Sequence, residues 1–130
     1  MKQRRKSELT VITKAKDLCS YVITITQKST KQFRFTFVTR LQNLALDAID
    51  NLYRANDVFA VKGDPRSIGQ RREYQQKAMT DLRLLCFIAQ LACEYRCILV
   101  RQFEQISLQS SECMNLLDGW MNSDRRRLSP

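Results

Sequence analysis

Apolar residues recur along most of this chain at steps of three and four, the spacing that gathers them on one side of an α-helix. Between residues 8 and 27 the set is Leu9, Ile12, Ala15, Cys19 and Val22, closed by Thr26, with Ser7 placed to cap the start. The polar run "QKSTKQ" (27–32) breaks the pattern. It resumes as Phe33, Phe37, Leu41, Leu44, Ala48, Leu52, Ala55 and Phe59, which predicts a second helix over about 32–61. The opening of that segment, "FRFTFV", also alternates in the manner of a half-buried strand. The alternation stops at Val38 with no turn residue after it, whereas the helical repeat continues, so the helix is the reading adopted. "KGDPRSIGQ" (62–70) holds two of the three glycines and one of the two prolines and reads as a loop. A third helix over 70–96 carries Met79, Leu82, Cys86, Ala89 and Cys93. After a turn near "RCIL" (96–99), a fourth over 101–122 carries Phe103, Ile106, Ser110, Cys113, Leu117 and Trp120.

Four amphipathic helices with short connections predict an all-α fold, an antiparallel up-down-up-down four-helix bundle. The divisions expected are a flexible basic arm at 1–7, the bundle at 8–123 and a basic tail, "DRRRLSP", at 124–130. At 130 residues the chain is long enough to bury one core without cross-links.

The second helix is more apolar than one core requires. On a 100° wheel its apolar arc spans roughly 200°, about twice what a single buried face needs. Phe35, Leu46 and Tyr53 extend the arc, so these positions are expected to face another copy of the chain, or else to stand as partly covered surface aromatics and aliphatics. Arg34 falls inside the same arc at the helix N-terminus, where a cation opposes the helix dipole. It is either a contact to a partner's carboxylate or a phosphate, or a side chain bending past the bundle end into water.

Charge sharpens the picture. Twenty-two Lys and Arg against thirteen Asp and Glu give a net charge of +9 and a pI of about 9.7. That excess favours polyanionic partners, nucleic acid before an anionic membrane surface, although charge also serves plain solubility. In the predicted topology the N-terminus, the 62–70 loop and the C-terminus share one pole. Lys2, Arg4, Arg5, Lys6, Lys62, Arg66, Arg71, Arg72, Arg125, Arg126 and Arg127 are therefore the candidate nucleic-acid contacts, binding phosphates with steep salt dependence and little sequence preference.

Candidate chemistry is sparse. There is no histidine, which removes Ser-His-Asp and Cys-His catalysis and histidine-ligated metal. The five cysteines are odd in number and never spaced CxxC, so they read as reduced core thiols in a cytoplasmic protein, with no apolar run of membrane-spanning length. The glycine spacing fits no phosphate-binding loop. No catalytic residue, metal site or cofactor is expected.

The segments "KQFRFTFVTRLQNLALDAIDNLYRAND" (31–57), "RREYQQKAMTDLRLLCFIAQLA" (71–92), "CILVRQFEQI" (97–106) and "LLDGWMNSDRRR" (116–127) resemble the small bacterial four-helix-bundle proteins encoded in ribosomal-RNA intervening sequences. The nearest likeness is to the accessory variability determinant (Avd) proteins of diversity-generating retroelements, over about residues 10–127. The resemblance implies a non-enzymatic accessory protein, assembled as a pentameric barrel, that binds nucleic acid and the element's reverse transcriptase. That enzyme copies a template RNA with adenine-directed errors into a target gene. Arg34 and Arg40, together with the basic pole, are the positions assigned to those contacts. The alternative is a helical protein–protein scaffold with no specific nucleic-acid role.

Overall fold

In the computed structural model the "FRFTFV" stretch is helical, but not α-helical. The structure describes the backbone of residues 2–130 and the side chains from Thr10 onward. Helix α1 spans Lys2–Thr26, a 3₁₀ turn Lys31–Phe33, a π turn Arg34–Val38, then α2 Thr39–Asp57, α3 Pro65–Glu94 and α4 Val100–Leu128. The described residues contain no strand. In the π turn the Thr39 backbone N–H reaches the Arg34 carbonyl five residues back, and the Thr39 hydroxyl donates to the same oxygen at 2.8 Å. Phe37 is buried in the core, and Phe35, two positions earlier and so on the opposite side of the helix, is 84 % exposed.

The four helices form a bundle, with α2 against α1 and α3, and α4 against α1 and α3. Its core is continuous: Val11, Leu18 and Val22 from α1, Leu41 and Leu52 from α2, Leu82 and Leu85 from α3, Ile106 and Leu117 from α4. Each such side chain, once fully buried, contributes about 1.5–3 kcal/mol. The predicted stripes of α1 and α4 are buried as expected from Ile12 to Thr26 and from Ile106 to Trp120. In α3, Cys86 and Cys93 are only half-buried, and the fully buried positions include Ala78, Leu85 and Ala92 instead. Cys97 lies beyond the end of α3, so it does not share that helix face.

Four boundaries differ markedly from the sequence reading. The backbone is helical from Lys2, so the separate arm expected at 1–7, with Ser7 as cap, gives way to a longer α1. Helix α2 stops at Asp57 and leaves Phe59 85 % exposed, not on the core stripe. Helix α3 begins earlier, at Pro65, because Asp64 caps it by accepting from the Arg66 N–H at 3.3 Å and proline suits the first helical position. The Ser67 hydroxyl, and then the N–H groups of Arg66 and Ser67, hold the Asp64 carboxyl below its ordinary pKa. At the other end of the chain, α4 runs to Leu128, so residues 124–128 form its last turns and not a tail.

The turn that carries no glycine or proline is a Schellman motif. The Cys97 N–H donates to the Ala92 carbonyl at 2.8 Å and the Arg96 N–H to that of Cys93 at 3.0 Å. Arg96 occupies the left-handed position, with φ of 64°, where glycine is the ordinary residue because a Cβ is crowded there. Replacing Arg96 with glycine is expected to raise stability by up to about 1 kcal/mol, read as a higher midpoint in urea with an unchanged m-value. An unchanged or lower midpoint would mean that the guanidinium contributes more to the fold than its backbone costs.

Candidate nucleic-acid interface

The 58–64 loop and the end of α4 meet directly. Gly63, at φ of 78°, donates its N–H to the Leu128 carbonyl at 2.9 Å. Beneath this contact lies a buried polar cluster. Arg71, 5 % exposed, reaches both oxygens of Asp124, 7 % exposed, at 3.1 and 3.2 Å. Its other terminal nitrogen donates to the Val58 carbonyl at 2.8 Å, and its guanidinium lies 5.9 Å from the centre of the Trp120 ring. Gln75 and Arg127 also donate to Asp124, at 3.2 and 2.6 Å.

This geometry corrects one predicted contact. Arg71 is an internal tie between α3, α4 and the loop, and its charge is consumed by Asp124, so it is withdrawn from a solvent-borne phosphate. Arg127 is half-buried and committed to Asp124 and to the Ser123 hydroxyl. Lys62, Arg66, Arg72, Arg125 and Arg126 are exposed. The side chains of Lys2, Arg4, Arg5 and Lys6 lie outside the described residues. Of the carboxylates here, Asp124 is buried with Arg71, Asp64 caps α3, and Glu73 lies 3.5 Å from Lys77. Asp57 stands exposed beside the loop, and among the described residues none of the five exposed cations is in an ion pair.

The expected partner-facing residues Arg34, Phe35, Arg40, Leu46 and Tyr53 are all exposed. Sequence reasoning missed a second apolar face. Leu84, Phe87 and Tyr95 are 44, 59 and 65 % exposed, with the half-buried Leu91 between them, at steps of three, four and four along and just past α3. That spacing was visible in the sequence as a second stripe on a helix already credited with one.

A second basic region was missed as well. The α1–α2 connection meets the α3–α4 turn, where Cys97 Sγ lies 3.9 Å from Ser29 Oγ and the Phe37 and Tyr95 rings pack at 5.8 Å. Gln42 donates to the Thr26 hydroxyl at 2.9 Å and fixes the neighbouring turn of α1. Lys28, Lys31, Arg34 and Arg96 are all exposed here. Their loops read as plain polar breaks, and only the folded chain gathers them.

The five cysteines are unpaired thiols. Burial pushes the Cys113 thiol up to about 12 and raises those of Cys19 and Cys97, which keeps all three protonated and unreactive at neutral pH. No helix among the described residues is long and apolar enough to cross a membrane. Comparison with models of protein families, with curated proteins and with solved structures returns no match.

Because the Arg71–Asp124 pair is buried, its two ends are not equivalent. Asp124→Ala strands the Arg71 guanidinium in the interior and is expected to cost about 3–5 kcal/mol in chemical denaturation. Arg71→Met leaves Asp124 with Gln75 and Arg127 and is expected to cost clearly less. Equal costs for the two variants would contradict this account.

Proposed function

We propose that this chain is a non-catalytic accessory protein that binds RNA or DNA through its basic surface and associates with the reverse transcriptase of a diversity-generating retroelement. The proposed architecture is an antiparallel up-down-up-down bundle assembled into a homo-oligomer, a pentameric barrel by resemblance to the Avd proteins. The cross-helix pairs Lys14–Glu112, Gln42–Thr26, Asn51–Asp81 and Arg71–Asp124 join each pair of neighbouring helices. The observation that carries the functional reading is the set Lys62, Arg66, Arg72, Arg125 and Arg126. These cations come from two segments joined at Gly63 and Leu128, stand exposed, and form no ion pair among the described residues. A protein–protein scaffold is the second reading, favoured by the exposed Leu84, Phe87 and Tyr95 stripe.

Salt titration separates the two. If about five phosphates are neutralised on a single strand, the logarithm of affinity is expected to fall against that of salt with a slope near −3.5. Replacing Arg125 and Arg126 with glutamine removes two contacts and should flatten that slope by about 1.4. A weak response independent of salt would leave only the scaffold.

Assembly is tested by mass in solution, where a species well above the 15.3 kDa of one chain is expected. Paired glutamates at Leu46 and Tyr53, or at Leu84 and Phe87, should dissolve the assembly for whichever face is covered, without loss of helicity. A wild-type mass of one chain at tens of micromolar would refute the oligomer.

A further inference from the structure

The meeting point of the α1–α2 connection and the α3–α4 turn is concave. Lys28, Ser29, Thr30, Gln32, Phe33, Tyr95, Arg96 and Cys97 enclose a cleft of about 390 Å³, within the size range of small-ligand sites. Its lining combines two cations, three uncharged polar side chains and two aromatic rings, and contains no carboxylate. Among the described residues neither Lys28 nor Arg96 is ion-paired.

The rings pack in a row. Phe33 packs on Phe37 and Phe37 on Tyr95, each pair with ring centroids 5.8 Å apart. Phe37 is 8 % exposed and anchors the row, whereas Tyr95 at its end is 65 % exposed. An exposed ring packed along one edge and set beside unpaired cations is the arrangement that stacks a base while neutralising the flanking phosphates. A duplex hides its base faces and cannot use such a ring; an extended acidic peptide would use the cations but leave the ring idle.

The backbone supplies an independent sign. Arg96 sits in the left-handed region, where glycine would be unstrained. Strain held by a charged, exposed residue points to a use for its side chain outside the fold.

We propose that this cleft binds a single-stranded segment of nucleic acid, with one base stacked on Tyr95 and the adjoining phosphates on Lys28 and Arg96. The inference rests on the reading that the protein binds nucleic acid, and it adds a second contact site at the far end of the 30-residue α3, about 45 Å along the helix axis from the first.

The test uses the full chain and three probes: a labelled single-stranded 12-mer, an abasic 12-mer of the same backbone, and a poly-glutamate peptide. Tyr95→Ala is expected to weaken the base-bearing strand by about 5- to 150-fold, the loss of one stacked base, and to leave the abasic strand unchanged. Arg96→Gly should weaken both strands while raising the urea midpoint, which separates lost binding from lost folding. If neither variant changes strand binding and Arg125→Gln with Arg126→Gln abolishes it, the cleft proposal is overturned and the nucleic-acid reading stands. If wild-type protein binds neither strand at low salt, that reading fails and takes the cleft with it. Poly-glutamate binding that depends equally on Tyr95 would assign the cleft to an acidic polypeptide and overturn the proposal.

Discussion

The Asp124 carboxylate accepts from Arg71 and Gln75 on α3 and from Arg127 on its own helix, and the geometry of the chain's C-terminal end follows from it. A carboxylate this buried is tolerated only with its hydrogen-bond capacity filled and a counter-charge at hand. Arg71 supplies both, and its second nitrogen satisfies the Val58 carbonyl where α2 has just ended. The cluster therefore fixes the end of α4, the first turns of α3 and the intervening loop with respect to one another. It also sets the direction of the exposed cations. With Asp124 and Leu128 turned inward, four residues apart on one helix, Arg125 and Arg126 must project outward.

What the sequence disclosed and what it withheld divide along this line. Spacings of three and four at Ile12–Val22 and Ile106–Trp120 marked real core faces, because burial of apolar side chains there answers to periodicity alone. "DRRRLSP" read as a tail because three arginines and an aspartate look solvated in one dimension. Only the meeting of Arg71 with Asp124, 53 positions apart, makes the segment part of the bundle. Local charge composition does not reveal long-range pairing, so Arg71 looked like the surface arginine next to it. The π turn was hidden for a related reason. Phe33 and Phe37 are four apart whether the turn is α or π, and only the hydrogen bond from the Thr39 N–H back to the Arg34 carbonyl distinguishes them.

The same limit explains the second basic region. Lys28, Lys31, Arg34 and Arg96 are scattered over two connections that carry no motif. Their association depends on the register of α1 on α2, fixed by Gln42 on Thr26, and of α2 on α3, marked by Phe37 on Tyr95. The turn at Arg96 had no sequence mark because the residue expected at its left-handed position is glycine. A Schellman motif closed by arginine is legible only as geometry.

The two ends of the molecule are built on different physical terms. At the loop and α4 end the cations stand exposed above the buried Arg71–Asp124 pair. Attraction there is Coulombic, long in range and screened by salt within about 10 Å at 0.1 M. At the Tyr95 end Lys28 and Arg96 border a concavity lined by the Phe33 and Tyr95 rings, so on the proposed reading a stacking contact that salt weakens little would add to the screened attraction of the cations. On the proposed reading, a polyanion held at the first end alone would be released as ionic strength rises. One whose unpaired base also reaches the second would be retained, and the distance between the ends favours a strand long enough to span both. On the same reading, the left-handed Arg96 gives up some backbone stability where its charged side chain stands beside the Tyr95 ring.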